Sequence, residues 1–313
     1  MIRKCVASTM ETVKLNKDLL KAVHDGDLES AEVSILSGAN VNTRIGDNNS
    51  TPLIMASIQS NARMMKFLLD KGADIHAYDS DGNYAIHYCA ANGYLEGVKL
   101  LLSRRSLPHI GNKNMFTPMM CAANKGYLGI VHCFLEHGVP MRYGVNKYGR
   151  SELTLACEKG FTDIVKLLLQ SGDPKIDRSA EIDHAFQSAI NNGKIDAVKI
   201  LLQHGAKVNM KTKTGNPLIF ETIEQQDPAL LQLLVSNGAD VNVRDKLSYT
   251  PLIKAVMIRR VDMAKILIEA GADIYATKSI TAISIARELR DEALLDLMSG
   301  VNESKCNTKA CES

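Results

Sequence analysis

Tryptophan is absent from this chain, and aromatic residues make up only 5% of it. Broad stacking surfaces are therefore scarce. Charge of one sign is also lacking: 37 Lys and Arg against 35 Asp and Glu leave +2, too little to imply nucleic acid by itself. No apolar run approaches the roughly 18 residues of a membrane-spanning helix. Met1-Ile2-Arg3-Lys4-Cys5 leads into polar Ser8-Thr9 and has no apolar core for a secretory signal. The seven cysteines are odd in number and widely spread, which is no disulfide framework and fits a reducing cytoplasmic or nuclear setting. Hydrophobic residues reach 45%, enough to bury a core.

What the chain does have is self-similarity. Gly38-Ala39-Asn40-Val41, Gly72-Ala73-Asp74-Ile75, Gly205-Ala206-Lys207-Val208, Gly238-Ala239-Asp240-Val241 and Gly271-Ala272-Asp273-Ile274 recur near multiples of 33 residues. Thr51-Pro52-Leu53, Thr117-Pro118-Met119 and Thr250-Pro251-Leu252 follow the same period. In the clearest units, Thr caps a short helix and Pro takes its first position. A small residue stands five places after the opening, as Ala56, Cys89, Ala122, Ala156 or Ala255. A glycine such as Gly26, Gly93, Gly126, Gly160 or Gly193 then breaks the helix. A second helix carries an apolar stripe, as in Val198-Lys199-Ile200-Leu201-Leu202. One unit cannot bury that stripe, whereas stacked units can, so the pattern predicts an all-α solenoid.

Thr51-Pro52-Leu53-Ile54-Met55-Ala56 resembles the TPLHxA opening of the ankyrin repeat, with Ile54 where that family has His. Asp79-Ser80-Asp81-Gly82-Asn83 before Tyr84 resembles its hairpin. The resemblance covers about 17–298 and implies some nine helix-turn-helix units with short hairpin loops. They open near Lys17, Thr51, Tyr84, Thr117, Ser151, His184, Asn216, Thr250 and Thr281. Residues 1–16 are then an N-terminal extension and 299–313 a polar tail, expected to be disordered.

Several constellations bear on chemistry. Asp79-Ser80-Asp81-Gly82-Asn83 begins like a calcium loop, but the twelfth place, which needs Glu, is Ala90. The turn reading is preferred. Cys89, Cys121 and Cys157 fall at or beside the small core position, and His132 and His137 have no Cys-x-x-Cys before them. No metal and no cofactor is expected. Neither a Gly-x-Ser-x-Gly elbow nor a phosphate-cradling loop occurs, and the repeats leave no room for a catalytic domain, so no enzyme is expected.

Charge is unevenly placed. From Lys99 to Gly160 there are nine basic residues and three acidic ones, Glu136, Glu152 and Glu158, so this segment is +6 and the remainder −4. It reads either as a solvated face or as a docking patch for an acidic partner. The ankyrin resemblance implies that hairpin tips and first helices line a concave partner-binding face. On that match the patch comprises Lys113, Phe116, Asn124, Lys125, Arg142, Tyr143, Lys147, Tyr148, Arg150 and Glu158. The expected role is a protein-binding scaffold or adaptor whose partner is another protein with an acidic surface. Neither nucleic acid nor membrane is expected as the partner. The alternatives are a regulatory subunit or inhibitor of an enzyme, or a host-targeting effector.

Leu201 tests the register of the second-helix stripe. Replacing it with Ala should cost roughly 2–5 kcal/mol, as a buried large-to-small change. A variant that unfolds at the parent's denaturant midpoint shows that the register is wrong.

Overall fold

The computed structural model describes residues 2–44, 46–141, 144–172, 175–276 and 281–299, with residues 2–9 described by backbone alone. In chain order the helices are α1 (Ile2–Asp25), α2 (Leu28–Leu36), α3 (Pro52–Ile58), α4 (Ala62–Asp70), α5 (Ala85–Ala91), α6 (Leu95–Ser103), α7 (Pro118–Lys125) and α8 (Leu128–Glu136). There follow α9 (Glu152–Lys159), α10 (Thr162–Gln170), α11 (Ser179–Asn191), α12 (Ile195–Gln203), α13 (Ile219–Glu224), α14 (Pro228–Ser236), α15 (Pro251–Met257), α16 (Val261–Glu269) and α17 (Ala282–Glu288). A last helical stretch covers 292–299. Strand pairing is confined to isolated bridges, among them Tyr78 with Tyr84 and Lys211 with Pro217.

The helices fall into two compact units, residues 1–156 with 163–176, and residues 157–162 with 177–313. In the first, α1, α3, α5 and α7 stack in sequence, and α4, α6 and α8 stack beside them. In the second, α11, α13, α15 and α17 form one row and α12, α14 and α16 the other. The core of each unit is the seam between rows. Met64, Leu68, Val98, Leu101 and Phe134 fill the first, and Val198, Leu201, Leu231, Leu234 and Leu267 the second.

Local chemistry starts α3, α7 and α15 where the sequence places them. The hydroxyls of Thr51, Thr117 and Thr250 accept the backbone N–H groups of Ile54, Met120 and Ile253 at 3.4, 3.1 and 3.3 Å. Each satisfies one of the free donors at a helix N-terminus. Each first helix ends at a residue in the left-handed region, at Gly26, Ser60, Gly93, Gly126, Gly160, Gly193, Gln226, Arg259 and Arg290. Four of these nine are not glycine, so the repeat continues where its glycine signal is missing.

Three boundaries differ from the sequence reading. α1 is one helix from Ile2 to Asp25 and runs straight through the expected boundary at residue 17. α11 starts at Ser179, five residues before His184, because no Thr-Pro pair stops the helix from extending backwards. In the seventh unit Pro217 occupies the place of Tyr84, since both pair in the isolated bridge and both lie nine residues before the left-handed residue. The opening is thus Pro217 rather than Asn216, and buried Thr222 becomes the small core residue. The tail beyond residue 299 lies outside the described residues.

The end of the third unit, Arg104-Arg105-Ser106, lacks the usual Gly-Ala. Arg105 nevertheless adopts φ 62°, in the place of Gly38 and Gly72. The Ser106 N–H reaches the Leu101 carbonyl at 3.0 Å, as that of Ala73 reaches Leu68 at 2.9 Å. The Ser106 hydroxyl is buried with no partner. Restoring the pattern with Arg105→Gly and Ser106→Ala relieves a strained backbone and an unsatisfied hydroxyl. Together these changes should raise stability by about 1–2 kcal/mol. Chemical denaturation of the double variant checks this, and a midpoint at or below the parent's contradicts it.

Candidate interaction surface at the hairpin tips

All of the tip geometry described here belongs to the first unit. Three successive hairpin turns are each closed by an Asx side chain. Asp79 Oδ1 accepts the N–H groups of Asp81 and Asn83 at 2.9 and 2.8 Å. Asn112 Oδ1 accepts those of Asn114 and Phe116, both at 3.0 Å. Asn146 Oδ1 accepts those of Tyr148 and Arg150 at 2.9 and 3.1 Å. Such a side chain holds a turn without needing a strand ladder. The remaining oxygen of Asp79 accepts the Tyr88 hydroxyl at 2.6 Å, which confirms the turn reading of Asp79–Asn83.

Successive tips are joined backbone to backbone. Ser80 donates to the Asn48 carbonyl at 2.8 Å, Lys113 to Asp81 at 3.0 Å, and Lys147 to Asn114 at 3.0 Å. Lys113 and Lys147 are therefore fixed in the spine of the ribbon while their side chains stay exposed. Phe116 is half-buried and meets Tyr148 edge to face, with ring centroids 6.3 Å apart. Tyr148 is 60% exposed, and Arg150 is exposed beside it. Exposed Met115 and Val145 add apolar surface.

On α7, Asn124 is half-buried and Lys125 exposed. The structure thus brings Lys113, Phe116, Lys147, Tyr148 and Arg150 onto linked tips. Arg142 and Tyr143 lie outside the described residues. Glu158 is half-buried and belongs to the second unit. Glu152 is buried, and its Oε1 accepts the Thr117 hydroxyl at 3.3 Å, so this carboxylate adds little to the surface charge. Arg104 pairs with Asp70 at 2.9 Å on the second helices, away from the tips.

Two internal groups support the tips, and the sequence reading assigned neither. The first is His87, which is buried in α5. Its Nδ1 accepts the Tyr84 N–H at 3.2 Å, and its Nε2 lies 3.0 Å from the Phe116 carbonyl. A carbonyl can only accept, so Nε2 carries the proton and the ring is neutral. The signal was present: His87 stands three residues after its opening, where the ankyrin motif has its His. The second is Asn146, only 3% exposed, whose Nδ2 has no partner. One turn earlier the matching Asn112 Nδ2 donates to Asn83 Oδ1 at 2.8 Å. The place of Asn83 is taken in the next turn by Phe116, which offers no side-chain acceptor.

Cys89, Cys121 and Cys157 show no sign of activation. Burial pushes the Cys89 and Cys121 thiols up to about 12 and raises Cys157 as well. Among the described residues no group of His, Cys, Asp and Glu could hold a metal ion. Among them also, no helix is long and apolar enough to cross a membrane.

Residues 19–110, 106–180 and 185–278 each match the family described as "Ankyrin repeats (3 copies)". The chain belongs to the ankyrin repeat family. It is an all-α ankyrin solenoid, and such repeats are protein-interaction modules. A mouse (Mus musculus) protein named "Ankyrin repeat, SAM and basic leucine zipper domain-containing protein 1" is 36% identical over 123 residues, 37% of this chain and 25% of that protein. Its Homo sapiens counterpart is 32% identical over 115 residues, 36% of this chain and 24% of that protein. "Ankyrin repeat protein nuc-2" of Neurospora crassa is 28% identical over 162 residues, 51% of this chain and 15% of that protein. The chain thus spans a quarter or less of these relatives' lengths.

Burial of His87 lowers its pKa from 6.5 to about 4. The unfolded ring takes up a proton as pH falls through about 6.5 and the folded ring only near 4. The His87 contribution is therefore complete above 6.5 and is lost as pH falls through that window. Between pH 7 and 5 it should remove about 2 kcal/mol. The stability difference between the parent and His87→Gln should narrow by this amount. Parallel pH profiles would show that His87 does not carry it.

Proposed function

We propose that this chain is a binding scaffold or adaptor, not an enzyme, and that it takes an acidic protein surface on the hairpin tips of its first unit. The supporting observation is the row of exposed Lys113, Lys147, Tyr148 and Arg150 on tips tied to one another through the backbone. Rigid tips lose little conformational entropy on binding, so their side chains can act as anchors at low cost. Tyr and Arg are the types most often found as anchors. Asn124 and Lys125 of α7 complete the proposed face, which on the ankyrin pattern is the concave one. The free cysteines Cys89, Cys121, Cys133 and Cys157 fit a cytoplasmic or nuclear setting.

Capture with the full chain, followed by mass spectrometry, supplies a partner against which the site can be tested. Tyr148→Ala with Arg150→Ala should leave stability within roughly 0.5 kcal/mol per site. The same pair should weaken partner binding by roughly 1–2 kcal/mol or more. Charge reversal at Lys147 and Arg150 should slow association and flatten its salt dependence. Reversal of Lys213, an exposed tip residue of the second unit, serves as the control. Equal affinity of parent and double variant places the site elsewhere on the chain.

A further inference from the structure

The first repeat departs from the pattern of the repeats that follow it in two outward-facing positions. Leu36, at the end of α2, stands two residues before the terminal glycine and is 75% exposed. The same place in later repeats holds Asp70, Ser103, Glu136, Gln170, Gln203, Ser236 and Glu269, all polar. It therefore faces water even in a stacked repeat, and nothing in the core asks for a leucine there. Asp25, the last residue of α1, is the second departure. Its counterparts are Gln59, Asn92, Lys125, Lys159, Asn192, Gln225, Ile258 and Leu289, none acidic. A carboxylate at a helix C-terminus is opposed by the helix dipole, so its placement does not serve the helix.

Asp25 lines a groove, and Leu36 stands one helical turn beyond Val33, which lines the same groove. α1 and α2 enclose this groove of about 560 Å³, lined by Asp18, Lys21, Asp25, Asp27, Glu29 and Val33, among others. Four carboxylates against one lysine make it strongly acidic. Val33 is 63% exposed there, although its counterparts Phe67, Leu100 and Cys133 are half-buried or buried. Stripe positions that hold Met64 and Leu68 in the second repeat are Ser30 and Ser34 in the first. Polar serines cap the array against water, as a terminal repeat requires. Val33 and Leu36 run against that trend: Val33 lines the groove, and Leu36, one turn further along α2, extends its apolar side beyond the groove's end.

We propose that this groove docks a basic amphipathic helix of a partner protein, its apolar side on Val33 and Leu36 and its Lys or Arg side chains toward Asp18, Asp25 and Glu29. Charge decides the occupant. An acidic segment is repelled, and a second copy of the chain paired through this same face would set like carboxylates against each other. The groove lies on the first repeat and is separate from the tip surface, so the two sites can be occupied independently.

The test uses the full chain and a fluorescent 18-residue helical peptide of Leu and Lys, with the Leu and Glu peptide of the same pattern as control. The Leu/Lys peptide should bind, and added salt should weaken it. Leu36→Ser should weaken it at least tenfold while the unfolding midpoint stays at the parent's value, because the side chain is exposed. Asp25→Asn with Glu29→Gln should also weaken binding and flatten the salt dependence. The Tyr148→Ala and Arg150→Ala pair should leave peptide binding unchanged, which separates this site from the tip surface. The proposal is overturned if the Leu/Lys peptide does not bind, if the Leu/Glu peptide binds equally well, or if Leu36→Ser binds like the parent. It is overturned as well by a concentration-dependent dimer that Leu36→Ser abolishes, since the occupant is then a second copy.

Discussion

Nine residues after each repeat opens, the chain must reverse within two residues so that a second helix can lie against the first. It does so each time by placing one residue at positive φ, glycine in five repeats and Ser60, Gln226, Arg259 or Arg290 in the others. A non-glycine residue pays about 1–2 kcal/mol for that conformation. The geometry persists anyway, because a helix pair that failed to reverse would leave its apolar stripe in water. Burial of one stripe, from residues such as Met64 and Leu68 or Leu231 and Leu234, outweighs a single strained residue. The reversal fixes where each second helix sits, and the hairpins and tips take their positions from it.

Between repeats, two different linkages share the work. Where the sequence reads Asn four residues after the terminal glycine, the asparagine clamps the next repeat. Asn42 accepts the Asp74 N–H at 2.7 Å, Asn209 that of Asp240 and Asn242 that of Asp273, each at 2.8 Å. Asn209 and Asn242 also donate to the carbonyls of Gly238 and Gly271. In the middle of the chain the same place holds His76 and His109, and no such clamp is seen for them. There the tips are joined by backbone bonds from Lys113 and Lys147, and His87 ties α5 to the Phe116 carbonyl. The stretch with the basic tips is thus held by its own ribbon.

The period, the paired helices and most openings were legible because they rest on local chemistry: a Thr cap, a proline at the first helical position and an apolar stripe. Boundaries failed where that chemistry is missing. Without Thr-Pro, α11 extends back to Ser179, and in the seventh repeat only the bridge from Lys211 to Pro217 reveals the register. At the tips, the sequence pattern puts Phe116 in the surface patch, and it proves half-buried against Tyr148. The sequence pattern also counts Glu152 among the surface charges, although the residue stands where other repeats have a buried proline. Which of two faces a side chain takes depends on the neighbouring repeat, and that information is not local.

The nine repeats serve as references for one another, and departures among them can be sorted by direction and cost. Glu152 departs inward and is compensated by the Thr117 hydroxyl, so it belongs to the fold. Arg105 and Ser106 depart at a cost, but the unsatisfied hydroxyl of Ser106 faces the interior, where no partner can use it. That pair is drift which the array tolerates because each repeat answers only to its neighbours. Leu36 and Asp25 depart toward water, where an exposed leucine and a carboxylate at a helix C-terminus are each unfavourable for the isolated chain. The proposed basic helix would cover the leucine and neutralise the carboxylate. Glu152 is thus answered by a neighbouring repeat, whereas exposed Leu36 and Asp25 turn away from the stack toward the proposed partner.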